Sequence, residues 1–121
     1  MELPRRDLPE RTFEFARRIV KLCQILDQTP GVCRTLSNQL IRSGTSIGSN
    51  VEEGQAGQSR ADFIAKLSIA CKEARETLYW LRLLVASEIV QQSQVHDLIE
   101  EANQLVAILT AIIKKCKSNK V

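Results

Sequence analysis

Between Phe63 and Leu84, apolar or small side chains fall at Phe63, Leu67, Ala70, Ala74, Thr77, Leu81 and Leu84, in alternating steps of four and three. That rhythm lines one face of an α-helix and fits no strand, whose faces alternate every second residue. Ile64, Cys71, Leu78 and Val85 repeat every seven residues along the adjoining edge. A helix with so broad an apolar face must bury it against other helices. Three further stretches carry the same signature. Phe15, Ile19, Leu22 and Leu26, with Phe13, Ala16, Val20 and Cys23 beside them, run up to a stop at Pro30–Gly31. Leu36, Leu40, Gly44, Ile47 and Val51 continue a second face. Val95, Leu98, Ala102, Leu105, Leu109, Ile112 and Cys116 make a last one, flanked by Ile99, Val106 and Ile113. No β-branched run alternates with period two. The pattern predicts an all-α fold, one domain over residues 1–121, with helices near 9–28, 35–54, 59–87 and 93–117.

Local signals place the ends. Pro9 suits a first helical turn. Ser59 with Asp62 resembles a capping box with Asp in place of Glu, and Ser93 is the expected cap of the last helix. Lysines in that helix's final turns, among Lys114, Lys115, Lys117 and Lys120, oppose the negative end of its dipole.

The stretch RSGTSIGSNVEEG, residues 42–54, invites comparison with a phosphate-binding loop. Such a loop needs a preceding strand and a Gly-x-x-x-x-Gly-Lys-Ser/Thr pattern. Gly44 and Gly48 are too close, no lysine follows, and no strand precedes. The helical face runs straight through both glycines instead. Two interior glycines cost about 2 kcal/mol relative to alanine, so a close approach by another backbone is the expected compensation. Gln39, Ser43, Ser46, Asn50 and Glu53 form a polar stripe one step round the helix. It either carries buried hydrogen bonds that set register or faces solvent, and residue types alone leave both open. Gly54 and Gly57 are the expected break before the third helix.

With 44% hydrophobic and 26% charged residues, the chain has an ordinary globular composition and needs no metal or disulfide to hold a core. Its net charge is +3, compatible with a polyanionic partner without requiring one. Cysteines at 23, 33, 71 and 116 show no Cys-x-x-Cys spacing, and three of them lie on apolar stripes. Reduced thiols in a cytoplasm are the expectation. No apolar run follows Arg5–Arg6, so no signal peptide is expected. LVAILTAII, the longest nearly apolar run, is about half of what a bilayer span needs, which points to a soluble chain with no membrane partner.

On these residues the chain resembles the four helix bundle family of 23S rRNA-intervening-sequence proteins, over most of its length and most densely from Leu40 to Leu81. The family motif Ser-Ile-x-x-Asn-Ile-x-Glu-Gly is met by Ser46, Ile47, Asn50, Val51, Glu53 and Gly54, with valine for the second isoleucine. The following Ser-x-x-x-Phe-Ile-x-x-Leu-x-Ile-Ala pattern is met by Ser59, Phe63, Ile64, Leu67, Ile69 and Ala70, and Glu76 falls where the family carries an acid. Gly48 and Thr77–Leu78 depart from the usual residues. The resemblance implies an antiparallel up-down four-helix bundle assembling as a ring-shaped homopentamer. Members are encoded in insertions within bacterial large-subunit rRNA genes or stand alone. A related branch accompanies diversity-generating retroelements and is thought to bind nucleic acid.

Three function classes compete. The first is a non-catalytic nucleic-acid-binding accessory protein for structured RNA, such as rRNA, or for DNA. Arg17, Arg18, Lys21, Arg42, Arg60 and Lys66 would contact phosphates, and several copies would multiply a weak field. Paired with acids such as Glu14 or Glu73, the same cations would be ordinary surface. Few aromatics argue against base stacking. The second is an oligomeric protein-interaction scaffold with no nucleic-acid role. Ile69, Trp80 and Leu83, on an outer stripe of the third helix, are either a subunit contact or a cover for the end of the bundle. The third, an enzyme, lacks its parts. His96 is the sole histidine, and Glu-x-x-His pairs for a di-metal site are absent. No cofactor is expected.

Overall fold

The computed structural model describes the backbone of residues 4–118 and the side chains of residues 8–118. Lys120 and the side chains of Arg5 and Arg6 lie outside the described residues. Four helices, α1 (Pro4–Leu26), α2 (Val32–Gln55), α3 (Arg60–Ala86) and α4 (Gln92–Ser118), account for the fold, with no strand among the described residues. Each helix packs on the next along the chain, and α4 returns to α1 through a sparser seam.

Three boundaries differ from expectation for identifiable reasons. α1 begins before Pro9, which lies inside it. Pro4 holds the first position instead, where a missing N–H costs nothing. α2 starts directly after Gly31, whose φ of 91° turns the chain sharply out of the connection. Ser93 is not the cap of α4, because that helix has already begun at Gln92. The Gln94 side chain reaches back to accept from the Gln91 N–H at 2.7 Å, as the third residue of a capping box does. Ser59 does cap α3. Its Oγ accepts from the Asp62 N–H at 3.1 Å, while Asp62 accepts in turn from Gln58 rather than from Ser59 itself.

The core takes Phe15, Ile19 and Leu26 from α1, Leu40, Ile47 and Val51 from α2, Leu67, Leu81 and Leu84 from α3, and Val95, Leu105 and Leu109 from α4. Its register depends on small residues of α2. A Cβ placed on Gly44 would stand 2.8 Å from Ile19 Cγ2, and one on Gly48 would stand 3.2 Å from the Thr12 carbonyl oxygen. The close backbone approach expected of both glycines therefore occurs at Gly48, whereas Gly44 makes room for a branched side chain. Gly54 is not a break. It is buried in the last turn of α2, where a Cβ would meet Leu67 Cδ1 at 3.0 Å. The chain leaves the helix at Ala56–Gly57.

The polar stripe of α2 divides between its two possible fates. Ser43 is fully buried against Thr77 of α3, whose hydroxyl lies 2.9 Å from Ser43 Oγ and 2.8 Å from the Glu73 carbonyl. Asn50 Nδ2 donates within α2 to the Ser46 carbonyl at 2.8 Å, and Glu53 pairs with Lys66 of α3 at 2.8 Å. Glu53 and Gln39 are both exposed, Gln39 bonded to Arg42. The buried hydroxyl pair links α2 to α3 in the core, and each hydroxyl also reaches a carbonyl of its own helix, Leu40 for Ser43 and Glu73 for Thr77.

α3 ends in a Schellman arrangement. Ile89 N–H donates to the Leu84 carbonyl and Glu88 N–H to that of Val85, with Glu88 left-handed at φ 62°. Two substitutions should move stability in opposite directions in urea unfolding. Glu88→Gly removes a strained backbone and should stabilise by about 0.5–1 kcal/mol. Gly44→Ala should destabilise by about 1–2 kcal/mol, because overpacking against Ile19 outweighs the better helix propensity of alanine.

Candidate functional site

The six cations expected to meet phosphates are placed on separate parts of the surface, and half are already partnered. Arg17 sits on α1 at the α1–α2 groove and forms a two-bond pair with Glu14, Nε to Oε1 at 3.0 Å and a terminal nitrogen to Oε2 at 2.8 Å. Arg42 crosses the α2–α3 seam to Glu73 at 3.4 Å and to Glu76. Lys66 holds Glu53 on the same seam. Arg18 is half-buried, and its charge adds a smaller pull on Glu14. Lys21 and Arg60 are exposed. Surface pairs of this kind hold by under about 1 kcal/mol, so they do not lock the cations away. They do cancel the local field a polyanion would feel.

Arg17 also sets the acidity of its partner. Its hydrogen bonds hold the Glu14 carboxyl below the usual value of 4.5 against the small opposing effect of desolvation, and the same pairing raises the Arg17 guanidinium. At Cys23, burial pushes the thiol up, which keeps it protonated and inert.

The stripe of Ile69, Trp80 and Leu83 lies along the α2 side of the outer face of α3. Trp80 is half-buried against the core, and its Nε1–H donates to Glu76 at 3.0 Å. Leu83 is half-buried and Ile69 is exposed. Arg42, Glu76 and Trp80 thus form one chain of contacts binding α2 to α3. Besides Ile69, the exposed large apolar side chains among the described residues lie elsewhere: Phe13, Ile25 and Val32 on α1 and α2, and Tyr79 on α3.

A different cluster emerges between α3 and α4. Lys72 and Arg75 from α3 face Lys114 and Lys117 from α4 across a groove of about 530 Å³, with Ser68 and Thr110 hydroxyls beside them. Cys71 lies in the floor, its sulfur 3.4 Å from Thr110 Oγ1. None of the four cations has an ion-pair partner among the described residues. The acids of α3 at 73 and 76 are turned to the α2 side, where Arg42 takes them. α4 carries its acids, Asp97, Glu100 and Glu101, in its first half and none from Ala102 on. The groove is therefore a run of positive charge with no internal compensation, a geometry suited to a polyanion backbone. Single-helix inspection misses it because the four residues are two pairs 42 or so positions apart. The acid-free second half of α4 was the available signal.

His96 stands exposed near the start of α4, with Glu100 at 4.0 Å. No group of three or more His, Cys, Asp or Glu side chains able to hold a metal ion occurs among the described residues. No helix among them is long and apolar enough to cross a membrane.

The family model described as 23S rRNA-intervening sequence protein matches residues 7–111. Among solved structures, a protein with unknown function from the S23 ribosomal protein family of Bacteroides thetaiotaomicron superposes with a TM-score of 0.84 at 43% identity, covering 91% of this chain and 97% of that one. None of the curated proteins matches the chain.

The Glu14 assignment is directly testable. Carbon-detected NMR titration should place its carboxyl midpoint below 4.5, and Arg17→Ala should return it toward that value. The charged pair forms above the midpoint and is lost as pH falls through it. An unshifted midpoint in the unsubstituted chain would show that the pair does not persist in solution.

Proposed function

The chain belongs to the 23S rRNA-intervening sequence protein family, and on that premise we propose that it is a non-catalytic accessory protein that binds structured RNA such as rRNA. The observation that carries this reading is the uncompensated cationic groove of Lys72, Arg75, Lys114 and Lys117. Four cations free of internal acids can neutralise phosphates and release condensed counterions, which supplies affinity without any reacting group. The same chemistry would accept DNA. The dispersed candidates Arg17, Arg42 and Lys66 add less, since each already serves a carboxylate.

The assembly in this proposal is an antiparallel up-down bundle closing with further copies into a homopentameric ring, on the strength of the family resemblance. A ring would repeat the groove around its circumference and convert a modest contact into a multivalent one. The setting is a reducing cytoplasm, which suits four free thiols. No cofactor enters this reading, and no reacting group is required of the exposed His96.

A second reading, an oligomeric protein-interaction scaffold, is favoured by one observation. Phe13 is 65% exposed at the edge of a largely apolar groove formed with Ala16, Val20 and Gly48. Fluorescence anisotropy of a structured RNA, at low and physiological salt, separates the two. Binding should weaken with salt, and Lys114→Ala with Lys117→Ala should cut affinity and lower the salt slope by about 2, about one per lost contact. Arg17→Ala with Arg18→Ala should cost less. Absence of binding at low salt would overturn the nucleic-acid reading and favour the scaffold.

A further inference from the structure

Ser68, Lys72, Arg75, Tyr79 and Arg82 recur along α3 in steps of four, three, four and three, so they share one stripe of the helix. All five are exposed. The stripe borders the α3–α4 groove through Ser68, Lys72 and Arg75, and Tyr79 and Arg82 extend it by about 10 Å along the axis. It holds three cations, one aromatic ring and no acid. Glu73 and Glu76, the acids nearest in sequence, occupy the opposite flank, held by Arg42 and Trp80.

Tyr79 is the unusual member. Its side chain is 53% exposed on an otherwise charged surface, and no core position requires an aromatic there. Its ring meets Trp80 edge-on, with centroids 5.1 Å apart and planes 76° apart. Trp80 is itself fixed by the Glu76 hydrogen bond and by packing on the core. Tyr79 is therefore braced from one side and open on the other, an arrangement that lowers the entropy cost of presenting a flat ring to a ligand. Arg75 lies four residues before it and Arg82 three residues after it, one turn away in each direction.

We infer that this stripe is a seat for unpaired nucleotides, in which Tyr79 stacks on a base while Lys72, Arg75 and Arg82 meet the flanking phosphates. The inference rests on the nucleic-acid reading above and narrows it to loops, bulges or single-stranded segments. A base inside a duplex offers no free face to a tyrosine, whereas an unpaired base does. One platform stacks without reading base identity, so the seat tolerates sequence. RNA and DNA share this chemistry and differ only at the 2′-hydroxyl.

The test uses the full chain and three fluorescein-labelled probes of equal length: oligouridylate, oligothymidylate and a blunt duplex, each titrated by anisotropy across a salt series. Tyr79→Ala should weaken binding to at least one single-stranded probe by about 5- to 50-fold, in the range of a lost base stack. Its duplex affinity should stay within about twofold, and its salt slope should be unchanged. Tyr79→Phe should restore single-strand binding. Arg75→Ala should lower the single-strand salt slope by about 0.7, the value for one phosphate contact. Circular dichroism confirms that each variant folds, which the exposure of both side chains favours. Oligouridylate bound above oligothymidylate would assign the seat to RNA, and the reverse order to DNA. Wild-type affinity of Tyr79→Ala for every probe, or an equal loss on duplex, would overturn the stacking seat while leaving the cationic groove intact. Failure of the unsubstituted chain to bind any probe at low salt would overturn both.

Discussion

Everything in this fold is arranged around how closely α2 can approach its two neighbours. From Arg42 to Gly54 it presents only two sizeable apolar side chains, Ile47 and Val51, and three buried glycines. Each glycine receives a different object: the branched Ile19 side chain, the Thr12 backbone, and the Leu67 and Lys66 side chains. Glycine lowers helix propensity at each site, and the tight contacts to α1 and α3 offset that cost through dispersion and burial. The Ser43–Thr77 contact adds a polar tie between α2 and α3 at the observed register. A helix richer in leucine would bury more area yet tolerate more registers.

That fixed α2–α3 seam also decides where charge is displayed. Arg42 gathers Glu73 and Glu76 to the α2 side of α3, and Glu76 also receives the Trp80 indole. Removing the acids to one flank leaves the other to Lys72, Arg75, Tyr79 and Arg82. α4 completes the asymmetry by carrying its carboxylates near its start and its lysines near its end. A modest net charge of +3 thus becomes a concentrated positive face. Distribution, not total charge, carries the functional proposal.

The separate positions of the proposed nucleotide seat and the exposed Phe13 matter for the same reason. One is cationic with a braced aromatic ring. The other is a largely apolar groove of Phe13, Ala16 and Val20, with Arg17 and Glu52 both in its lining. The two faces of the protein differ in chemistry, one cationic and one largely apolar.

The four helices and most of the core were legible in the sequence, because an apolar face of period 3.6 is a local property that survives without knowledge of neighbours. Leu67, Ala70, Ala74, Thr77, Leu81 and Leu84 are all buried, as their spacing requires. The family motif was legible for the same reason, being contiguous. Helix ends were less so: α1 begins at Pro4 rather than near Pro9, and α4 begins at Gln92, before the cap expected at Ser93. Residue pairing was legible only where it is local: Glu14 stands three residues before Arg17 on one helix, and the two pair. Nothing in the spacing of Arg42 or Lys66 fixes which carboxylate of another helix each will meet, and nothing in Lys72 and Lys117 says that they will line one groove. Electrostatic sites that span helices are sums over elements that meet only when the chain folds, so the tertiary structure decided that Arg42 and Lys66 were paired across a seam and that Lys72, Arg75, Lys114 and Lys117 were left facing solvent.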